Sequence, residues 1–518
     1  MNRFNTEFEF GLNEKEYSLL CKACDAVLMD QYSTIECTSI PWLHIIREHP
    51  VFFESYFDLF SDNKTFNVLF KKKLRAFKNR VRFLRNLWAG LSLSFRYRRV
   101  TEIHPKNIDY LFISHILNDS QLGQDEDFYF GNVPNTIASK THSSLVCLID
   151  HTGKLEPSLS QRWGSADVPR VILSGSLRLL EEISLFLRVK RESYRLKRMI
   201  KRESHELNRR VISRAAEEVY SSGTRQALII ASQIEKIVKK TNPKAIFVTY
   251  EGYAWERVVF SVARKVYPEI QCFGYQHAAI FNKQHALRRN LRYEYNPDMI
   301  LTSGMISKVQ LEDSPDLDGI KIEVLGSNRL LKNEVEIKDV TQVKNTCVVL
   351  PEGIEQECNL LFKFALECAK TMPEIKFIFR LHPIISFDSL LAKNSNLRNL
   401  PENIILSDRE IEDDLLDSSW AIYRGSTAIV QAVCGGIRPL YFKLQNEMTI
   451  DPLYMLDSWR VGINNSTDFK NIVDKDRDKP FNTLLKEKNY AQLYCSDFYM
   501  PFNYKVITDC FSGNISER

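Results

Sequence analysis

The stretch AIFVTYEGYAWERVVF, residues 245–260, ends an apolar run in a carboxylate and a glycine, Glu251-Gly252, before an aromatic-rich helical pattern begins. A carboxylate at a strand end inside a closing cleft has its pKa raised toward neutrality. It can then take a proton from a hydroxyl as a general base. Glu256, one helical turn on, is a second candidate base, or an acid that serves the positive end of its helix. The next strand, IQCFGYQH (270–277), ends in Gln276 and His277 and supplies a third proton acceptor. Arg257, Gln276 and His277 are close enough in this β-α-β unit to line an acceptor side, with a structural hydrogen bond as the equal alternative for each.

A second set suits phosphate. In YRGSTAIVQAVCGG (423–436), Gly425 precedes Ser426 and Thr427 where a helix should start. Unpaired N–H groups and two hydroxyls would there face an anion, unless the pair is an ordinary helix cap. Arg380-Leu381-His382-Pro383 ends a strand in the same block, and Glu352-Gly353 ends another. His382 could donate to a leaving phosphate, and Glu352 could contact a ribose or base.

Metal and cofactor signatures are poor. Asp125-Glu126-Asp127, Asp316-Leu317-Asp318 and Asp474 to Asp478 lie in polar charge clusters, and no Walker loop, no GxGxxG after a strand and no HExxH occurs. Cys21 and Cys24 have CxxC spacing, with Cys37 and His44 downstream, but no second close pair completes a zinc set. The expectation is no metal and no cofactor, with buried helical cysteines.

These residues need a scaffold that brings strand ends together. At 518 residues the chain exceeds one core, and 44% hydrophobic content marks a folded protein. Strand-like runs at 110–114, 145–149, 171–173, 245–249, 270–277 and 320–327 alternate with helices. A second alternating block begins near Asn345. Such alternation gives parallel sheets flanked by helices, and ligands in open parallel sheets bind beyond the strands' carboxyl ends. Three regions are expected: helical residues 1–104, an α/β domain at 105–335, and a second α/β domain at 336–518. The charged stretch from about residue 177 to 219 is expected as an insertion standing off the sheet, and polar 328–344 as a linker.

From Lys71 to Arg99 eleven Lys or Arg occur without an acid, interleaved with apolar residues at helical spacing. A basic amphipathic helix suits an anionic membrane face. A solvated helix and a nucleic-acid patch are the alternatives, and no nucleic-acid motif accompanies the charge. The N-terminus is acidic where a secretory signal would be apolar, and no run approaches the ~18 apolar residues of a membrane span. The eleven cysteines, scattered and odd in number, suit a reducing compartment. The chain is expected in the cytoplasm, peripheral on the inner membrane.

The order SHILN, DFYFG, YEGYAWER, GYQH, RLHP, RGST across residues 105–460 resembles bacterial surface-carbohydrate glycosyltransferases of the two-domain GT-B architecture. Within that architecture it is similar to the CMP-sugar sialyltransferases and, more distantly, the capsule β-Kdo transferases. The resemblance implies two Rossmann-like domains facing a cleft, 105–335 for the acceptor and 336–518 for the nucleotide sugar, with helical N-terminal and inserted segments. It implies a CMP-activated Kdo or other nonulosonic-type donor, and a polysaccharide or lipid-linked glycan acceptor of capsule or lipopolysaccharide. UDP- or GDP-hexose transfer, CDP-polyol phosphate transfer and a non-catalytic assembly role remain alternatives. By the same likeness Glu251 deprotonates the acceptor hydroxyl, while His382, Ser426 and Thr427 bind the nucleotide phosphate. The sialyltransferases carry two acidic residues before the glycine where this chain has Tyr250-Glu251-Gly252, which keeps Glu256 in contention.

Overall fold

A computed structural model describes residues 12–60, 107–138, 143–153, 168–329, 344–382, 384–445 and 447–512, with Lys78, Val81, Arg85 and Trp88. Those four, within the basic arm, are helical and exposed; the rest of Lys71 to Arg99, Pro383, most of the 328–344 linker and the 335/336 division lie outside the described residues. No helix among the described residues is long and apolar enough to cross a membrane.

The first sheet consists of β1 (Tyr110–Ile116), β2 (Ser144–Asp150), β3 (Arg170–Ile172), β4 (Ala245–Thr249), β5 (Gln271–Gln276), β6 (Met299–Thr302) and β7 (Lys321–Val324). Its order is β3-β2-β1-β4-β5-β6-β7, and every pairing is parallel. All five residues of β4 are buried, because helices cover both faces, so its sequence is apolar without alternation. The strand order reverses between β1 and β4, and the crevice for ligands opens at such a reversal.

The second sheet repeats the plan with β8 (Thr346–Leu350), β9 (Lys376–Arg380), β10 (Ile404–Ser407), β11 (Trp420–Tyr423), β12 (Arg438–Phe442) and β13 (Val461–Ile463). The order β10-β9-β8-β11-β12-β13 is again parallel throughout and reverses between β8 and β11. The chain then returns to the first sheet. Met500 N–H donates to the Ser303 carbonyl, Ser327 N–H to Met500, and Asn503 N–H to Leu325, while Ile507 is buried in the core under β1. The last helix therefore belongs to the first sheet, not to the second domain as the 336–518 assignment has it.

Residues 12–60 form a helical layer with the helices Leu179–Ile200, Glu206–Glu218 and Ser222–Thr241, sharing one core that includes Leu20, Leu43, Leu185, Val211 and Leu228. The stretch expected to stand off the sheet is thus two helices, each packed on one side against the N-terminal region. Cys21, Cys24 and Cys37 are buried within this core, where burial pushes the Cys24 and Cys37 thiols up.

Candidate functional site

Glu251 follows β4 at the reversal of the first sheet, and Gly252 explains the turn. Its φ of +86° is left-handed, and a Cβ there would meet the Ala286 carbonyl oxygen at 2.3 Å. Glu251 lies in the wall of a cavity of about 390 Å³, within the size range of small-ligand sites. The cavity sits at the ends of β1, β4 and β5 and is lined by His115, Tyr129, His151, Thr249, Trp255 and His277, with Pro41 and Gly223 from the helical layer. His115 links two of these groups: its Nε2 lies 2.9 Å from Thr249 Oγ1 and its Nδ1 2.8 Å from His151 Nε2. Asp127, expected only as part of a charge cluster, is buried and accepts from the Ser114 hydroxyl and the N–H groups of Tyr129 and Phe130. It thereby fixes the loop that presents Tyr129, whose ring stands edge-on to His277 at 4.4 Å.

The three candidate bases differ. Burial raises the Glu251 carboxyl above its usual range, partly offset by the charge of Arg47, a Tyr253 hydroxyl hydrogen bond and Arg329. Burial pushes His277 down to about 3, so its imidazole is a weaker base than Glu251, although its buried Nδ1 has no protein partner. Glu256 is buried, and its carboxylate accepts the N–H groups of Glu251 at 3.0 Å, Gly252 at 2.8 Å and Tyr253 at 2.8 Å. Glu256 lines the same cavity, and burial, with the Glu251 charge beside it, raises its carboxyl well above the usual range. The three loop N–H groups on its oxygens, not its pKa, set it apart: it shapes the turn that aims Glu251, and Glu251 is the stronger candidate for the base on that geometry.

The two acceptor-side candidates are buried. Arg257 is fully buried and donates to Asn296 Oδ1 and to the carbonyls of Ala286 and Arg289. It braces the loop whose Ala286 abuts Gly252 rather than meeting a ligand. Gln276 is 1% exposed and its amide nitrogen donates to the Ala278 carbonyl, while its buried Oε1 has no protein partner.

At the second sheet's reversal, Glu352 follows β8 and Gly425 to Thr427 follow β11. The two are in contact, since a Cβ on Gly425 would lie 2.4 Å from Glu352 Oε1. His382 is adjacent, 2.9 Å from where a Gly353 Cβ would sit. The helix Ala428–Cys434 is only 7 residues long, and neither Ser426 nor Thr427 caps it with its side chain. Any affinity for an anion here comes from the hydroxyls and His382 more than from a helix dipole. Arg380, expected beside them, is tied to the buried Asp414 and to the Arg409 carbonyl, away from the reversal.

Glu352 is not free for a ribose. The His49 ring lies 3.0 Å from one of its oxygens and Arg47 Nη2 donates to the other at 3.3 Å. Burial raises its carboxyl, yet His49, Arg47 and Arg424 outweigh that and hold it below the usual range. His49, Glu352 and Glu357 offer ligand atoms within 4.8 Å of one another, the one such grouping among the described residues. Arg47 on Glu352 and Arg424 on Glu357 already neutralise both carboxylates, so the grouping is a salt-bridge network before it is a metal site.

Arg47, His49, His115, His151, Tyr129, Trp255 and Arg329 were not assigned from sequence. His115 stood in SHILN at the end of β1, a signal of the same kind as Glu251. Arg47 and His49 carried none. They reach the cleft because the 281–289 loop holds their segment, with Ala286 N–H on the Ile45 carbonyl and Lys283 N–H on Glu48.

No family model matches the sequence, and no curated relative matches it. Solved structures resemble its fold. UDP-GlcNAc 2-epimerase from Neisseria meningitidis, bound to UDP-GlcNAc, aligns with TM-score 0.41 and 14% identity over 78% of this chain and 100% of that one. S. aureus MnaA with UDP gives 0.44 and 9%, over 79% and 97%. The glycosyltransferase SnogD from Streptomyces nogalater gives 0.40 and 10%, over 78% and 99%. At such identities the likeness is one of chain arrangement.

Proposed function

We propose that this chain is a glycosyltransferase working in the cleft between its two sheets. The donor is a nucleotide-activated sugar, a CMP-linked acid of the nonulosonic type. The acceptor is a hydroxyl of a surface-polysaccharide or lipopolysaccharide intermediate at the cytoplasmic face of the inner membrane, which the basic arm Lys71 to Arg99 helps the chain to approach. One observation carries this reading. Arg47 pairs with Glu352, which abuts the Gly425 loop at the reversal of the second sheet, and its charge also acts on Glu251 at the reversal of the first.

In this mechanism the acceptor sugar enters the cavity, where Tyr129 and Trp255 offer apolar ring faces and His115 and Thr249 offer polar atoms. Glu251 takes the proton of the acceptor hydroxyl as its oxygen bonds to the anomeric carbon. The bond from that carbon to the phosphate oxygen breaks, and the phosphate keeps the electron pair. Ser426, Thr427 and His382 donate to the growing negative charge, and each preorganised donor is worth ~2.7–4 kcal/mol of barrier. Arg47 supplies the cation on that side.

A thermal-shift series with CMP, UDP and GDP tests the reading. CMP should raise the melting temperature, as any ligand of the folded state does. A shift with UDP or GDP alone reassigns the donor, and no shift with any nucleotide removes the enzyme reading in favour of a binding role.

A further inference from the structure

The helix Leu179–Ile200 is apolar on two opposite sides. One side buries Leu185, Val189 and Leu196 against the N-terminal helices. The other exposes Leu180, Ile183, Leu187 and Tyr194, at 79%, 43%, 54% and 59%. At 3.6 residues per turn these four fall within a stripe about 60° wide, centred opposite the buried one. A solvated face would be polar there. An apolar stripe on the outside is ordinarily covered by something.

Charge says what covers it. Lys190, Arg191, Lys197 and Arg198 are exposed on or beside the same stripe, Lys201 and Arg202 are exposed in the turn that follows, and none is in an ion pair among the described residues. The only acid between 188 and 202 is Glu192, buried and paired with Arg195. The outer face is therefore a leucine-bearing half followed by a cationic half, with the Arg198 guanidinium 4.4 Å from the Tyr194 ring centroid. The 22 residues span ~33 Å in one plane.

We infer that this face docks the protein on an anionic lipid bilayer, the helix lying parallel to the surface with Leu180, Ile183 and Leu187 at the acyl boundary. Cations near an anionic leaflet contribute ~1 kcal/mol each, and the apolar side chains add their burial. A nucleic acid would use the cations but has nothing to offer the leucines. A second copy would bring six further cations to this face, and between 188 and 202 neither copy has an exposed acid to pair them. The inference stands on this helix alone, apart from both the transfer chemistry and the Lys71 to Arg99 arm.

Vesicle flotation of the full chain tests it, with phosphatidylcholine alone and with a phosphatidylcholine–phosphatidylglycerol mixture. Two double variants, Leu180→Glu with Leu187→Glu and Lys197→Glu with Arg198→Glu, alter exposed residues only and should keep the wild-type melting transition. A control, Lys370→Glu with Lys376→Glu, makes the same charge change as the Lys197/Arg198 variant on the second domain. Wild type and control should float with the anionic mixture and not with phosphatidylcholine, and each helix variant should lose at least ~10-fold in partitioning. Wild-type partitioning in both helix variants overturns the inference. So does equal flotation of wild type on the two vesicle types, or displacement from the anionic vesicles by a DNA duplex.

Discussion

Arg47 Nη2 donates to Glu352 Oε2 across 3.3 Å, a pair of residues 305 apart in sequence that joins the N-terminal helical layer to the second sheet. The guanidinium also lies over the Phe281 ring, 5.0 Å from its centroid, and its charge lowers the Glu251 carboxyl from the other side. One cation thus acts on carboxylates in both halves of the cleft. Replacing Arg47 with Met removes the charge and keeps much of the apolar stem. The Glu251 pKa should rise further, moving the acid limb of the pH–rate profile to higher pH, and nucleotide affinity should fall. A merely structural Arg47 would change the melting temperature and leave that limb in place.

Glu251→Gln keeps the shape of the side chain and cannot accept a proton. Transfer should fall by the ~10²–10⁴-fold of a lost general base, with nucleotide binding intact because the donor sits on the other sheet. Steady-state rates and nucleotide titration read the two effects separately. Wild-type turnover in this variant would move the base elsewhere.

Glu256→Gln should cost stability before chemistry. Its carboxyl receives three backbone N–H groups, and a hydrogen bond of this kind contributes ~0.5–1.5 kcal/mol. The neutral amide keeps one acceptor oxygen, so part of that sum should be lost in denaturant melts. Loss of activity in Glu256→Gln at unchanged stability would return the base assignment to Glu256.

The pH dependence of stability has a definite sign at Glu251. Its folded-state pKa is raised above the ordinary 4.5, chiefly by burial. A group shifted that way favours the fold when protonated, and its contribution is lost as pH rises through the folded-state value. Wild type and Glu251→Gln should therefore differ least in acid, and the variant should become relatively more stable toward neutral pH. Melting curves across that range check it; a variant that is relatively less stable at neutral pH contradicts the burial argument.

Gly252→Ala places a methyl group 2.3 Å from the Ala286 carbonyl at φ +86°. The backbone conformation alone costs ~1–3 kcal/mol in a residue with a Cβ, and the clash adds to it. The melting temperature should drop and activity should fall with it, since the same turn aims Glu251. An unchanged melting temperature would show that the 286 loop yields freely.

Ser426→Ala with Thr427→Ala, or His382→Ala alone, should weaken nucleotide binding with little change in stability, because neither hydroxyl caps the following helix. Wild-type nucleotide affinity in both would remove the phosphate role from this loop.

The alternation of apolar runs with amphipathic helices was enough to give two parallel sheets, because burial on both faces imposes continuous apolar strands and one-sided burial imposes helical spacing. The same logic put Glu251, His382, Ser426 and Thr427 at strand ends, where polar side chains interrupt a buried run. Local pattern could not rank Glu251 against Glu256. That depended on which carboxylate the turning backbone wraps, and three N–H groups wrap Glu256. Nor could it show that Arg257 and Arg380 are spent on structural partners, or that the charged 179–218 stretch packs onto residues 12–60. Arg47 and His49 lay furthest from reading. Their partner Glu352 is 305 and 303 residues away, and a charge pair at that separation leaves no periodicity in either segment. Only the docking of the N-terminal layer on the 281–289 loop brings them to the cleft.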